Sequence, residues 1–429
     1  MKDLKTMKKE LRELDNAIKR LQTAEKELIE LEPSAEMYGT QIDSIRAKLK
    51  QPNKVDEVER ELADLKRRIA STEPGLPSSL AMNYYDATFI GSGNFARVYR
   101  AKRKEDNKEV AVKVPISMDE STGRRFMTEI KTFYENFEHP NIVKLYKCNI
   151  LPIPYLEMEY CQESFDKLPT PLAVERAAYL VFQIAEGLKY AHERGRQHRD
   201  IKPQNIFLKD EVPKIGDWGL SKLSSENKSS ADHILSLAYA APEQLSLGKF
   251  GSPDYRTDIY QLGVVFYELT TGKLPFDGGT EVEVMAKILD TQPTKPSLIK
   301  PKARVVDPMI MKCLEKKMQD RYQSISDMQK ELADYFKIEY KDSLNKTKGD
   351  MSRSCYYLSK LCFVHITRGD LTEALKYAED LKHYANEHIR DELGSLISEI
   401  ELRRKEDLGT TNELVGKAAI ILHQIKMGR

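Results

Sequence analysis

The apolar positions of the first seventy residues recur at alternating steps of three and four. Leu4, Met7, Leu11, Leu14, Ile18 and Leu21 fall on one helical stripe, Glu25 interrupts it, Pro33 and Pro52 break it, and Val55, Val58, Leu62, Leu65 and Ile69 resume it. The pattern predicts two or three amphipathic helices over 1–70. The expectation is a coiled coil through which residues 1–70 self-associate into a homo-oligomer; the alternative is a helical layer folded against its own chain. Neither run spans the roughly three to four heptads that a firm coiled coil needs. The stretch 71–81, "STEPGLPSSLA", reads as a linker from its prolines, glycine and serines. From 82 the periodicity is mixed. "EVAVKV" alternates like a strand, whereas "AVERAAYLVFQIAEGLKYAHERG" has a helical period and stops at Gly195, a suitable residue just past a helix end. Beyond 345 the chain is helical again. "LSKLCFVHITRGDLTEALKYAEDLKHYA" holds two helical runs meeting at "RGD", with Gly369 at the turn, like one tetratricopeptide-type hairpin. A free-standing array needs about three or more such repeats, so a helical extension packed on the middle segment is expected. The division is 1–70, 71–81, 82–338 and 339–429.

Composition narrows the class. Charged residues make up 31% of the 429, yet the formal net charge is +1. That balance excludes a strongly basic nucleic-acid binder or an acidic tail. The five cysteines include no Cys-x-x-Cys pair, which argues for reduced thiols over a disulfide framework or zinc site. The charged N-terminus lacks the apolar core of a signal peptide, and no run approaches the roughly 18 apolar residues of a membrane span. The expectation is a soluble cytoplasmic protein that engages neither membrane nor nucleic acid.

Candidate chemistry clusters in the middle segment. "IGSGNFARVY" (90–99) is a glycine-bearing turn between strand-like residues. Gly91 and Gly93 let backbone N–H groups approach phosphate oxygens, and Val98 can cover a base ring. Lys113 is a charge inside an apolar strand, and such a lysine needs a partner when buried. Glu129 supplies one from the following helix, whose Phe126, Ile130 and Phe133 mark the buried face. In "RQHRDIKPQNIFL" (196–208), Asp200 can orient a hydroxyl and accept its proton, Lys202 can neutralise a phosphoryl group in flight, and Asn205 can hold a metal ion through its amide oxygen. "KIGDWGL" adds Asp217 as a second oxygen ligand. A sparse oxygen set of this kind suits Mg²⁺, and the parts together suit phosphoryl transfer.

Taken in order, "GSGNFARV", "VAVK", "HRDIKPQN", "DWG", "APE" and "DIYQLG" make residues 82–338 resemble a eukaryotic-type protein kinase domain. The resemblance implies an α+β bilobal fold, with a small β-rich N-lobe and a larger helical C-lobe, between all-helical extensions. It implies ATP and Mg²⁺ as cofactors and protein Ser/Thr hydroxyls as substrates. Ile90, Gly91, Ser92, Gly93, Asn94, Phe95, Val98 and Ala111 would line the nucleotide. Lys113 would contact its α- and β-phosphates and pair with Glu129. Met158 would be the gatekeeper, with Glu159 to Cys161 forming the hinge that bonds adenine. Asp200 would be the catalytic base, and Asn205 and Asp217 would hold Mg²⁺. Glu243 would pair with Arg321, and Asp258 would hold the catalytic-loop backbone. Lys202 resembles the serine/threonine branch.

Three residues depart from the family pattern. Ala96 replaces the third glycine of the loop. Trp218 stands for the Phe of "DFG" and must pack against the helix bearing Glu129. Ser236 takes the place of a Thr that braces the base. The complete set of Lys113, Glu129, Asp200, Lys202, Asn205 and Asp217 argues against the rival reading, a nucleotide-binding pseudokinase scaffold acting through its helical ends. "APE" and "DIYQLG" argue against a small-molecule kinase. The polar loop "SKLSSENKSSADHILS" offers Ser224, Ser225, Ser229 and Ser230 for phosphorylation, with Arg199 as the cation to grip the phosphate.

Overall fold

The computed structural model describes residues 16–17, 19–25, 28, 35–71, 75–92, 96–116, 137–149, 153–218, 237–347, 349–385 and 387–425. They fall in two compact units, the first drawn from positions up to 127 together with 147–158, the second from 128–146 together with 159 onward. Glu129, Gly93, Asn94, Phe95, Ser236 and the loop serines lie outside the described residues, as does the start of the heptad run from Leu4 to Leu14.

In the first unit, α1 (Ala35–Lys48) and α2 (Val55–Ser71) pack together with helical residues near 21. Asp56 and Glu57 sit in the first turn of α2, where the helix dipole favours negative charge. Leu21, Ala24, Leu28, Ile42, Ile45, Val55, Val58, Leu62 and Leu65 make one apolar cluster. The stripe residues among them are thus buried against the same chain. Arg20 spans the helices to Asp56 and Glu59, and Lys48 reaches Glu57 and Glu61. The Arg20 pairs are exposed and add little energy, and those of Lys48 are partly so.

The same unit holds most of a five-stranded sheet in the order β1-β2-β3-β5-β4: β1 (Tyr84–Ser92), β2 (Ala96–Arg103), β3 (Glu109–Pro115), β4 (Leu145–Asn149) and β5 (Tyr155–Glu159). β1, β2 and β3 run antiparallel. The central place of β3 explains why its side chains are buried from Val110 to Pro115. Glu157 on β5 is wholly buried, and it is satisfied by Arg103 Nη1 at 2.7 Å and by the Tyr84 hydroxyl at 2.6 Å.

The second unit is helical apart from a small sheet, β6 (Glu163–Ser164), β7 (Ile206–Lys209) and β8 (Val212–Ile215). Its centre is α3 (Val174–Glu193), which is apolar nearly all round and therefore buried on most faces. Around it come α4 (Pro242–Leu245), α5 (Leu247–Phe250), α6 (Tyr255–Thr271), α7 (Glu281–Asp290), α8 (Pro296–Ile299), α9 (Asp307–Cys313) and α10 (Ile325–Lys346). Asp254 caps α6 by accepting from Arg256 N, and Gly272 ends it with φ +71°.

The boundary expected at 338/339 falls inside α10, which runs unbroken to Lys346. Two hairpins follow, α11 (Met351–Thr367) with α12 (Leu371–Tyr384), and α13 (Glu387–Lys405) with α14 (Asn412–His423). Gly369 makes the first turn at φ +76°, and Asp370 caps α12. The hairpins share one apolar core with α3. Phe182 of α3 meets Phe336 of α10 edge-on at 5.6 Å, and Tyr179 meets Phe363 of α11 at 6.2 Å. No helix among the described residues is long and apolar enough to cross a membrane.

One lysine lies in this seam. Lys360 of α11 is 7% exposed, with its ammonium 3.9 Å from the centre of the Tyr179 ring. Burial pushes its pKa down to about 7, against the attraction of Glu175 and Glu211. Between that value and the ordinary lysine value, the unfolded chain holds a proton that the folded chain does not, so stability should rise with pH over this window. Lys360→Met is expected to flatten that rise in denaturant midpoints taken from pH 7 to pH 10. An unchanged slope would show that the lysine keeps its proton when folded.

Candidate active site

The first unit contributes a strand-borne cation. Lys113 is 4% exposed on central β3, opposite Val98 of β2, which excludes the alternative of a solvent-facing lysine on an edge strand. Ile90, Gly91 and Ser92 close β1, while Ala111 and Met158 are buried on β3 and β5. The pairing of Lys113 with Glu129 lies outside the described residues.

In the second unit, Glu159 ends β5. Its N–H is committed to the Lys144 carbonyl at 2.8 Å, so a base could be bonded here only through other backbone groups of the segment. Its carboxylate takes Lys209 at 2.8 Å and Lys214 at 3.0 Å. Burial opposes its ionisation, but the two lysines outweigh burial and hold its pKa below the usual range. Burial pushes the neighbouring Cys161 thiol up to about 12, so it is no reactive thiolate.

The segment after α3 gathers the remaining candidates. Lys202 Nζ donates to both oxygens of Asp200, at 3.0 and 2.8 Å. Asn205 Nδ2 donates to the Asp200 carbonyl at 2.8 Å and to its Oδ2 at 3.0 Å. With its nitrogen so used, Asn205 keeps the amide oxygen as its acceptor end, which is the chemistry a hard cation takes. Asp217, at φ +55°, follows Gly216, whose N–H bonds the Asn205 carbonyl at 2.9 Å.

A buried carboxylate anchors this loop. Asp258 of α6 accepts from His198 N at 2.9 Å and Arg199 N at 2.6 Å. It also accepts from His192 Nε2 at 2.8 Å. Burial alone would raise the Asp258 pKa, but the bond from His192, aided by His198 and the Arg199 N–H, keeps it below the usual range. His198 can only donate from Nε2 to the Gly216 carbonyl, at 2.8 Å, which leaves Nδ1 to accept the Asp200 N–H at 3.3 Å. One imidazole tautomer therefore ties the Asp200 loop to the Asp217 segment. Trp218 is buried against His198 at 4.7 Å and Phe137 at 5.0 Å, and its indole donates to the Ile215 carbonyl at 3.2 Å. The helix it was expected to meet lies outside the described residues. Glu243 and Arg321 form the expected bridge, with two contacts of 2.8 Å.

A model of the protein kinase domain matches residues 84–333. The chain belongs to the protein kinase family. Its kinase domain is 34% identical over 251 residues to a probable serine/threonine-protein kinase of Clostridium perfringens, a match covering 56% of this chain and 36% of that protein. It is 35% identical over 256 residues to a serine/threonine-protein kinase of Myxococcus xanthus, covering 55% and 36%. It is 30% identical over 273 residues to the serine/threonine-protein kinase PknB of Mycobacterium leprae, covering 60% and 43%. The match therefore spans well under half of each of these relatives.

Sequence reasoning missed His192, Gln244 and Gln261 of the kinase domain. The signal for Gln261 was present: a polar residue one turn after Asp258 in the apolar run "DIYQLGVVFYEL". For His192 the sequence carried no signal, since its partner Asp258 lies far along the chain; Gln244 has one local partner, the Ala241 N–H, but its bond to the Arg199 carbonyl could not be read from the sequence.

Proposed function

We propose that this protein is an ATP- and Mg²⁺-dependent protein kinase that phosphorylates Ser and Thr hydroxyls, itself included. The observation that carries the reading is the convergence of Lys202 and Asn205 on the Asp200 carboxylate, on a backbone pinned by Asp258. Asp200 orients the incoming hydroxyl and takes its proton. Lys202, already beside that carboxylate, neutralises the phosphoryl charge as it passes. Asn205 and Asp217 would hold Mg²⁺, which when bound neutralises phosphate charge. Lys113 would brace the α- and β-phosphates, with Gly91, Ser92, Val98, Ala111 and the Met158–Cys161 segment around the nucleotide. The scaffold alternative has no observation in its favour.

The test is purified full-length protein with labelled ATP and Mg²⁺, followed by mapping of modified residues by mass spectrometry. Phosphate on Ser or Thr is expected. Nucleotide binding with no transfer to itself or to added peptides would leave the scaffold reading in its place.

For residues 1–70, the packing of Leu21, Val55, Val58, Leu62 and Leu65 inside the chain supports a helical layer over an interchain seam. Light scattering is expected to give the same number of chains per particle before and after deletion of this segment. A drop on deletion would instead establish self-association through it.

A further inference from the structure

The catalytic loop has a second anchor besides Asp258. Gln261 of α6 is 2% exposed, and its amide straddles Asp200. Oε1 accepts the N–H of Ile201 at 2.9 Å, and Nε2 donates to the carbonyl of Arg199 at 3.2 Å. Its second N–H goes to Gln244 Oε1 at 3.0 Å. Gln244 of α4 donates its own Nε2 to the same Arg199 carbonyl at 2.9 Å, while its Oε1 also accepts the N–H of Ala241 at 2.9 Å. These partners fix both amide orientations, because reversing Gln261 would set donor against donor at Ile201 and acceptor against acceptor at Arg199. Arg199 itself sits at φ +64°, a conformation unfavourable for a residue with a Cβ. Its N–H is held by Asp258 and its carbonyl by both glutamines, so the strained residue before Asp200 is restrained at each end.

We propose that Gln261 and Gln244 are positioning residues for phosphoryl transfer: they aim Asp200 by holding the peptide groups on either side of it, and they tie that aim to the Ala241–Gln244 turn. The inference rests on the kinase reading of the site. Without the clamp, Arg199 can relax from its left-handed conformation. The Cα–Cβ bond of Asp200 then turns, and the contacts from Lys202 and Asn205 turn with it. The strands that carry Lys113 are unaffected. The clamp therefore acts on turnover and not on ATP affinity.

The test uses full-length Gln261→Leu, Gln261→Glu, Gln244→Leu and the double Leu variant, with parent and Asp200→Asn alongside. Gln261→Leu and Gln244→Leu should each lower kcat by about ten- to a hundred-fold, as a misplacement near 1 Å does, with the ATP KM within about two-fold of parent. The double variant should lose little more than the worse single one, because the two glutamines bond each other and hold Arg199 as one unit. Amide-resolved hydrogen exchange should speed up at Ile201 in Gln261→Leu. In Gln261→Glu it should stay slow, since an acceptor remains, while kcat still falls because one of the two donors to the Arg199 carbonyl is replaced by an acceptor. Unchanged kcat in both single Leu variants of an active parent would overturn the inference. So would a rise in ATP KM accompanied by faster exchange throughout the second unit, the mark of general loosening. A parent that transfers no phosphate would instead overturn the kinase reading itself, and the inference with it.

Discussion

Asp200→Asn should lower kcat on a peptide substrate by about 10²- to 10⁴-fold, the usual contribution of a positioned general base, while ATP affinity stays close to parent. The substitution preserves shape but removes the proton acceptor. Lys202 would face a neutral amide instead of the carboxylate it now contacts at 2.8 Å. The backbone should hold, because its anchors are the peptide groups of His198 and Arg199 on Asp258 and not the side chain of Asp200. Residual turnover would reflect positioning and charge neutralisation by the rest of the site. Steady-state rates paired with calorimetric ATP binding separate the two effects, and full activity in the variant would remove Asp200 from the role of base.

Breaking the Glu243–Arg321 bridge is expected to have the largest effect on stability. Both side chains are wholly buried. Arg321 also donates to the carbonyls of Glu315 at 2.8 Å, Lys316 at 3.0 Å and Arg256 at 3.1 Å. Thr257 donates its hydroxyl to Glu243 at 2.8 Å. Arg321→Leu would leave a buried carboxylate without its counter-charge and three carbonyls short of a donor. Loss of one partner from such a pair costs about 3–5 kcal/mol, a large share of the roughly 5–15 kcal/mol that holds a typical domain folded. Trp218 is the chain's one tryptophan and is buried in the second unit, so its emission in a denaturant titration reports the midpoint. The double substitution Glu243→Leu, Arg321→Leu should recover part of the loss, because the orphaned charge goes while the unpaired carbonyls remain. A midpoint for Arg321→Leu equal to that of the parent would mean that water reaches the site and the pair is not buried in solution.

The sequence by itself determined the chemistry that is local along the chain. Asp200, Lys202 and Asn205 lie within six residues, and their mutual bonds follow from that spacing because a short loop leaves their polar atoms few other partners. Alternation in "EVAVKV" marked β3 and its lysine, since side chains on a strand point to alternate faces. Gly369 was legible as a turn for a similar reason: the left-handed backbone there favours glycine.

Tertiary structure decided whatever depends on partners far along the chain. The stripe of Val55, Val58, Leu62 and Leu65 showed which face of the helix must be buried, but burial lowers free energy equally against another chain or against Leu21 and Ile42 of the same one. Position 338/339 lies inside α10, where Phe336 and Tyr340 both pack toward α3 on one continuous helix. The support of Asp200 by His192, Gln244, Asp258 and Gln261 likewise appears only on folding. A hydrogen bond is set by distances of about 3 Å and by direction, and positions 45 to 66 residues apart reach that geometry only when α3, α4 and α6 have packed around the loop.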